Sequence, residues 1–328
     1  MTTSPQTDIG IIVIGRNEGE RLIRCLEALT GAGRKIVYVD SGSNDGSLEA
    51  AQARGAETVA LDMSIPFTAA RARNEGVTRL KEIADPTYIQ FIDGDCEMDP
   101  NWLTTASAFL DAHPDAAVAC GRLRERFPDA TLYNWLCDQE WDGPTGQVKA
   151  CGGIAMIRLN AFAQVGGFNA QMIAGEEPEL CVRLRAAGWD IWRLPDEMAL
   201  HDAAMTQFGQ WWRRARRGGF TYAERAAMHG HPPERHKVGA LRSALLWGAG
   251  VPILTVLGLF ISPLSFVLLL VWPLQVVRLA RKGMGWTRAS FLVIAKLPEA
   301  LGAIQYFIAR LRGQRTGLIE YKTKGLSS

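Results

Sequence analysis

"YIQFIDGDCEMDPNWL", Tyr88 to Leu103, poses the question on which the fold turns. A mostly apolar run of strand length leads straight into Asp93-Gly94-Asp95, and Glu97 and Asp99 follow before Pro100. An apolar run without polar alternation is the pattern of a strand covered on both faces. Two carboxylates so close together repel each other unless a cation compensates. The acids therefore belong to a solvated turn, or they hold something positive, and hard oxygen donors suit Mg2+ or Mn2+. On this reading Asp93 and Asp95 are the candidates, while Glu97 and Asp99 fall in the solvated turn and the cap of the next helix.

Outward from this stretch the first half alternates regularly. "IGIIVIG" (Ile9–Gly15), "KIVYVD" (Lys35–Asp40) and "ETVALD" (Glu57–Asp62) read as strands like Tyr88–Asp93. Helical spacing covers Glu18 to Leu29, Ser47 to Arg54 and Ala69 to Ile83, with Leu22, Leu26 and Leu29 on one face of the first. Such alternation with short links predicts an α/β fold with a parallel sheet and right-handed crossovers. Ligands bind beyond the carboxyl ends of strands in such sheets, where Asp40 and Asp93 both stand. The stretch from Asp115 to Pro195 is less regular. It holds a predicted strand Gly152–Arg158, a glycine-rich loop Val165–Asn169 and a helix Glu177–Ala187.

Two further places could carry chemistry. After Asp40, "SGSNDGS" forms a turn into a helix whose small residues let a ligand approach the backbone, and whose helix end favours anions. It is neither the dinucleotide fingerprint nor a P-loop. In "AGEEPELCVRLRAAGW" (Ala174–Trp189), Glu176, Glu177 and Glu179 crowd the start of a helix. They serve either helix-end electrostatics or, through one of them, a general base.

Composition shifts after Leu200. Between Gln207 and Arg242 stand eight Lys/Arg against two acids, and Ser243 to Val277 then runs 35 residues without a charge. A membrane span needs about 20 apolar residues, so this run is too long for one helix and slightly short for two. Ser262-Pro263 near its centre suits a hairpin turn, and Arg278, Arg281 and Lys282 follow. Basic flanks on both sides put both ends on the cytosolic face. The apolar segment Ala289–Ala309 carries Lys296, Pro298 and Glu299, which points to an interfacial helix rather than a span. In "QWWRRARRGG" the arginines suit anionic lipid headgroups, a phosphate-bearing lipid acceptor or a solvated charged face, and Trp211 and Trp212 suit an interface.

The whole chain of 328 residues carries 36 basic and 34 acidic side chains, which does not mark a nucleic-acid binder. Its six cysteines are scattered without a CxxC pair, the usage of a reduced, intracellular protein without a zinc site. The opening "MTTSPQTD" shows no signal-peptide pattern.

Taken in order, "IIVIGRNEGERL", "VDSGSNDGS", "AARARNEG", "FIDGD", "GGFN" and "GEEPELCVRLRAAGW" resemble the inverting family-2 glycosyltransferases of the GT-A fold, over Ile9–Phe208. The resemblance implies a Rossmann-like mixed sheet and a nucleotide-sugar donor, a UDP- or GDP-sugar. It implies that Asp40 contacts the nucleotide base, that Gly15 and Glu18 line the nucleotide pocket, and that Arg73 lies beside the nucleotide. Asp93 would hold the ribose side or the metal shell. Asp95 would coordinate Mn2+ or Mg2+, with His201 as a further ligand. Gly152 and Gly153 would lie against the donor sugar. Glu177 matches the catalytic base, a position the family usually fills with Asp, and Glu176 is its rival. Gln210 and Arg213 loosely match the Q-x-x-R-W motif of processive synthases, but Arg214 stands where Trp is expected, so no polymerase is inferred.

The expectation is a catalytic domain over residues 1–206, a basic interfacial linker over 207–242 and a C-terminal helical membrane hairpin within 243–328. Its partners would be a glycan or lipid-linked acceptor of the cell envelope and a membrane with anionic headgroups, at the inner face of the cytoplasmic membrane. A sugar-nucleotide nucleotidyltransferase, or an inactive nucleotide-sugar or lipid-binding protein, is the alternative.

Overall fold

The computed structural model describes residues 9–30 and 34–313. The chain's start, with the absence of a signal peptide read from it, and the last 15 positions of the C-terminal region lie outside them. The chain divides into two compact units, Met1–Ala204 and Met205–Ser328.

The first unit is built on a nine-stranded mixed sheet. Strands β1 (Ile9–Gly15), β2 (Lys35–Asp40), β3 (Glu57–Ala60) and β4 (Tyr88–Asp93) run parallel in the order β3-β2-β1-β4. Between them lie α1 (Glu20–Leu29), α2 (Ser47–Ala53) and α3 (Ala69–Ile83). Beyond β4 the parallel pattern ends, because β8 (Ala155–Arg158) pairs antiparallel with β4 and with β6 (Ala116–Glu125). The long β9 (Asp190–His201) then runs parallel to β6 and antiparallel to β5 (Cys96–Met98) and the two-residue β7 (Gly146–Gln147). The remaining helices of this unit are α4 (Trp102–Ala112), α5 (Leu132–Trp141), α6 (Leu159–Gln164) and α7 (Glu176–Ala186).

The apolar runs read as doubly covered strands are buried: Ile11, Ile12 and Val13 in β1, and Ile89 and Ile92 in β4, have no exposed surface. Two glycines let α3 approach β1. A Cβ on Gly10 would stand 2.3 Å from a Leu80 methyl, and one on Gly76 would stand 2.6 Å from Ile12 Cγ2. The β4 interior is sealed by Gln90, whose side-chain oxygen accepts the Trp102 indole N–H at 3.0 Å, as a buried polar group requires.

Three local expectations are corrected. The first helix starts at Glu20 rather than Glu18, because Asn17 takes a left-handed turn at φ 55°. The strand expected from Gly152 begins at Ala155, leaving both glycines in an irregular segment. Glu97 is not in a solvated turn: it lies in β5 and pairs with Arg126. Asp99 does shape the turn before α4, its Oδ1 accepting the Asn101 N–H at 2.8 Å.

The second unit is helical. Helix α8 (Phe208–His229) opens with a capping box between Gln207 and Gln210, which satisfies amide groups that a helix start leaves without partners. Among the described residues, three helices follow that are long and apolar enough to cross a membrane: α9 (Val238–Leu259), α10 (Pro263–Met284) and α11 (Trp286–Leu311). The charge-free run is short for two spans, but the helices borrow residues beyond it, α9 reaching back over Arg242 and α10 forward over Arg278. Ser262 and Pro263 make the break, the serine Oγ accepting the Leu264 N–H. Leu264, Phe260 and Ile261 around it are more than three-quarters exposed, an apolar surface that water alone does not favour. The third apolar segment is long enough to span as well, with Lys296 and Glu299 paired at 2.6 Å within it. It packs on α8 through glycines: Cβ atoms on Gly219 and Gly302 would each fall 1.9 Å from a carbonyl oxygen of the opposite helix.

Candidate active site

The carboxyl ends of β1, β2, β4 and β9, helix α3, the segment before β8 and the start of α7 carry the residues singled out above. At the centre is Arg73, on α3, with its side chain 3% exposed. Its Nη1 donates to Glu176 Oε1 at 2.6 Å and Glu177 Oε1 at 2.8 Å, and its Nη2 to Asp93 Oδ1 at 2.9 Å. Burial by itself would lower the pKa of this guanidinium, and the Glu177, Asp93 and Glu176 carboxylates more than reverse that, so it stays charged. Three carboxylates thus meet on one cation. Burial raises the pKa of the Asp93 carboxyl, Arg73 pulls it down, and Asp95 pushes it up again.

Gly153 closes this cluster. A Cβ there would lie 2.9 Å from Arg73 Nη2, 3.2 Å from Glu177 Oε1 and 3.3 Å from Asp93 Oδ2, so a side chain at 153 would push one of these groups aside. Gly152 is exposed with open space beside it. On the other side of Arg73, the Phe168 ring lies 5.6 Å from the guanidinium carbon. The loop bearing Phe168 is tied to α3 by Asn74, which accepts the Phe168 N–H and donates to its carbonyl.

Asp95 and His201 form a second group. His201 Nε2 lies 3.1 Å from Asp95 Oδ2, because β9 pairs His201 opposite Cys96, the neighbour of Asp95. Asp95, Cys96 and His201 each present a donor atom within 4.8 Å of the others. A carboxylate oxygen and an imidazole nitrogen fit a hard or borderline divalent cation. The Cys96 thiol is pushed well up, first by burial and then by Asp95, and stays protonated. Asp93, also expected in the metal shell, is not in this donor group; Arg73 holds it instead. Trp141 stacks on the His201 ring at 4.6 Å and 15°, and Arg193 donates to its carbonyl.

The third group lies at the ends of β1 and β2. Asp40 is 5% exposed and accepts from Tyr38 Oη, Gly42 N and Ser43 N at 2.8–3.0 Å. It shapes the 41–46 loop from beneath. That loop is tied to the one after β1: Asn17 N–H donates to Ser43 Oγ, Asn44 N–H to Asn17 Oδ1, and Gly19 N–H to Asp45 Oδ2. Gly15 packs against Tyr38 and Glu18, with 3.3 Å from its Cβ position to each, and Glu18 pairs with Arg21 at 2.7 Å. Sequence reading missed Asn17 and Asp45 as loop ties, Trp141 as the ring over His201, and Cys96 as a donor. The turn-forming Asn and Asp were visible as types, but their partners lie 26 or 27 residues away.

The structure thus brings Arg73, Asp93, Gly153, Glu176 and Glu177 together, and sets Asp95 with His201 one residue beyond Gly94. Gly94 donates its N–H to Ile14 O at 2.8 Å, linking the acid turn to β1.

Comparison with known proteins bears on this arrangement. The family model described as glycosyl transferase family 2 matches residues 10–158, and that of glycosyl transferase family group 2 matches residues 88–281. Among solved structures, the chain is similar to the mannosyltransferase PcManGT from Pyrobaculum calidifontis in complex with GDP-Man and Mn2+. Identity is 17% and TM-score 0.60, over 92% of this chain and 87% of that one. It is also similar to S. aureus TarS 1-349 in complex with UDP-GlcNAc, at 14% identity and TM-score 0.51, over 94% and 92% of the two chains. At such identities the likeness is one of fold. No curated protein matches the chain in sequence.

Proposed function

The chain belongs to the family-2 glycosyl transferases, and from that premise we propose that it moves a sugar from a nucleoside diphosphate donor to a hydroxyl of a glycan or lipid-linked acceptor, with inversion. The observation that carries this is the convergence of Asp93, Glu176 and Glu177 on buried Arg73, beside the Asp95–His201 pair.

Each group has a task in that reaction. The interlocked loops after β1 and β2, shaped by Asp40 and lined by Gly15 and Glu18, receive the nucleoside. The Gly152-Gly153 segment leaves room for the donor sugar. Asp95 and His201 would hold Mn2+ or Mg2+, which when bound supplies Lewis-acid neutralisation of the diphosphate. The fit rests on a carboxylate and an imidazole within reach of each other.

Glu177 is the general base. It is the more open of the two candidates, its side chain 14% exposed against 5% for Glu176. Its carboxylate takes the acceptor hydroxyl's proton as that oxygen bonds to the anomeric carbon, and the carbon's bond to the diphosphate breaks with the electron pair leaving on phosphate. Arg73 holds Glu177 at the right place, since small misplacements of a reacting group are costly.

The second unit would anchor the enzyme. Helices α9 and α10 form the hairpin, with the basic residues before Ser243 and after Val277 on the cytosolic side and α8 against anionic headgroups. The test is calorimetric titration of UDP, GDP and their sugars into the full chain in detergent, with and without Mn2+. We expect binding of at least one nucleoside diphosphate that strengthens with Mn2+, and loss of the Mn2+ effect in Asp95→Ala. Absence of binding by every nucleotide tried would overturn the reading.

A further inference from the structure

One pair of side chains has no part in that reaction and lies against it. Cys151 and Cys181 bring their sulfurs to 3.6 Å, both buried and both reduced. Cys151 sits two residues before Gly153, in the irregular segment between β7 and β8. Cys181 sits one turn after Glu177 on α7. Closing to a disulfide requires the sulfurs to approach by about 1.5 Å. Helix α7 is held by its own hydrogen bonds, whereas Cys151 and exposed Gly152 lie outside any helix or strand. The irregular segment is therefore the side that moves. Gly153 has no slack on its other side, where Arg73, Glu177 and Asp93 lie 2.9–3.3 Å from its Cβ position.

We propose that Cys151 and Cys181 form a site of reversible oxidation, closing to a disulfide under peroxide and dragging the Gly152-Gly153 segment out of register with Glu177. The effect on transfer rests on the function proposed above. One thiolate attacks hydrogen peroxide, giving a sulfenic acid and releasing hydroxide, which leaves as water with the thiol's proton. The second thiol displaces the sulfenic hydroxyl as water and forms the S–S bond. In total, two thiols and one peroxide give one disulfide and two waters, with two electrons passing from sulfur to oxygen. A dithiol such as dithiothreitol reverses the step by exchange.

The full chain in detergent is treated with hydrogen peroxide, blocked, digested without reductant and weighed by mass spectrometry, in parallel with transfer assays. Expected is one cross-linked peptide joining Cys151 to Cys181, lighter by two hydrogens. Transfer should fall about a hundredfold, the scale of a misplacement of about 1 Å in a reacting site, and recover with dithiothreitol. Cys151→Ala and Cys181→Ala should each keep the reduced rate and resist peroxide; either variant suffices if the other fails to fold. Separately blocked Cys151 and Cys181 after treatment, a cross-link without loss of rate, or a Cys181→Ala enzyme as sensitive as the parent would each overturn the proposal. A reduced protein that transfers no sugar would overturn the function instead, and the cross-link would still decide whether the thiol site exists.

Discussion

Replacing Arg73 with methionine tests the centre of the site. The guanidinium is 3% exposed and holds Glu176, Glu177 and Asp93 at 2.6, 2.8 and 2.9 Å. Methionine keeps much of the volume and removes the charge, leaving three carboxylates facing one another. Glu176 and Glu177 are too covered to be rescued by water, at 5% and 14% exposed, while Asp93 at 34% is partly solvated. Stripping one partner from a buried ion pair costs about 3–5 kcal/mol. At about 2–4 °C per kcal/mol for a domain of this size, the melting temperature should drop by roughly 6–20 °C. Arg73→Lys restores the charge without the two-pronged geometry and should recover part of the loss. The assay is thermal unfolding of the full chain in detergent, followed by near-ultraviolet circular dichroism at pH 7. A drop below about 2 °C for Arg73→Met, or a lysine variant no better than methionine, would refute the reasoning, because a solvated cluster responds on the order of 1 kcal/mol or less.

Two further outcomes are expected. Gly153→Ala should leave the circular dichroism unchanged while lowering turnover by about tenfold to a hundredfold, since its methyl would displace Arg73 or Glu177; equal turnover in the two proteins would contradict the close approach. Asp138 accepts two hydrogen bonds from Arg124 and one from the Glu125 N–H, and the Arg124 bond leads in lowering its pKa. A lowered folded pKa means stability that is present above the unfolded value of about 3.9 and is lost as pH falls through the folded value. Asp138→Asn should therefore be less stable than the parent at pH 7, with the gap closing below about pH 4 in urea titrations; a gap that widens in acid would contradict the assignment.

The fold was legible where its causes are local. The apolar runs of β1, β2 and β4 have the composition of doubly covered strands, and α3 was read to its observed ends, Ala69–Ile83. Reading failed where a distant partner sets the backbone. Gly152 and Gly153 continue an apolar pattern into "IAMIR", yet they stay out of the strand because Gly153 must pass close to Arg73. Glu97 reads as a turn acid and becomes a strand residue because β9 returns to pair with it, Leu200 opposite.

By itself, the sequence determined that an α/β unit with a parallel run, β1 to β4, ends strands in acids and that an apolar, basic-flanked helical region follows. Burial periodicity and turn chemistry act over a few residues, so they can be read without a fold. Only the tertiary structure decided which acids meet. Arg73 reaches Glu176 across 103 positions, and His201 reaches Asp95 across 106. Those meetings come from the order of strands in the sheet and the return of β9 beside β5. Sheet order is set by packing the whole core at once, and no local spacing in "YIQFIDGDCEMDPNWL" encodes it.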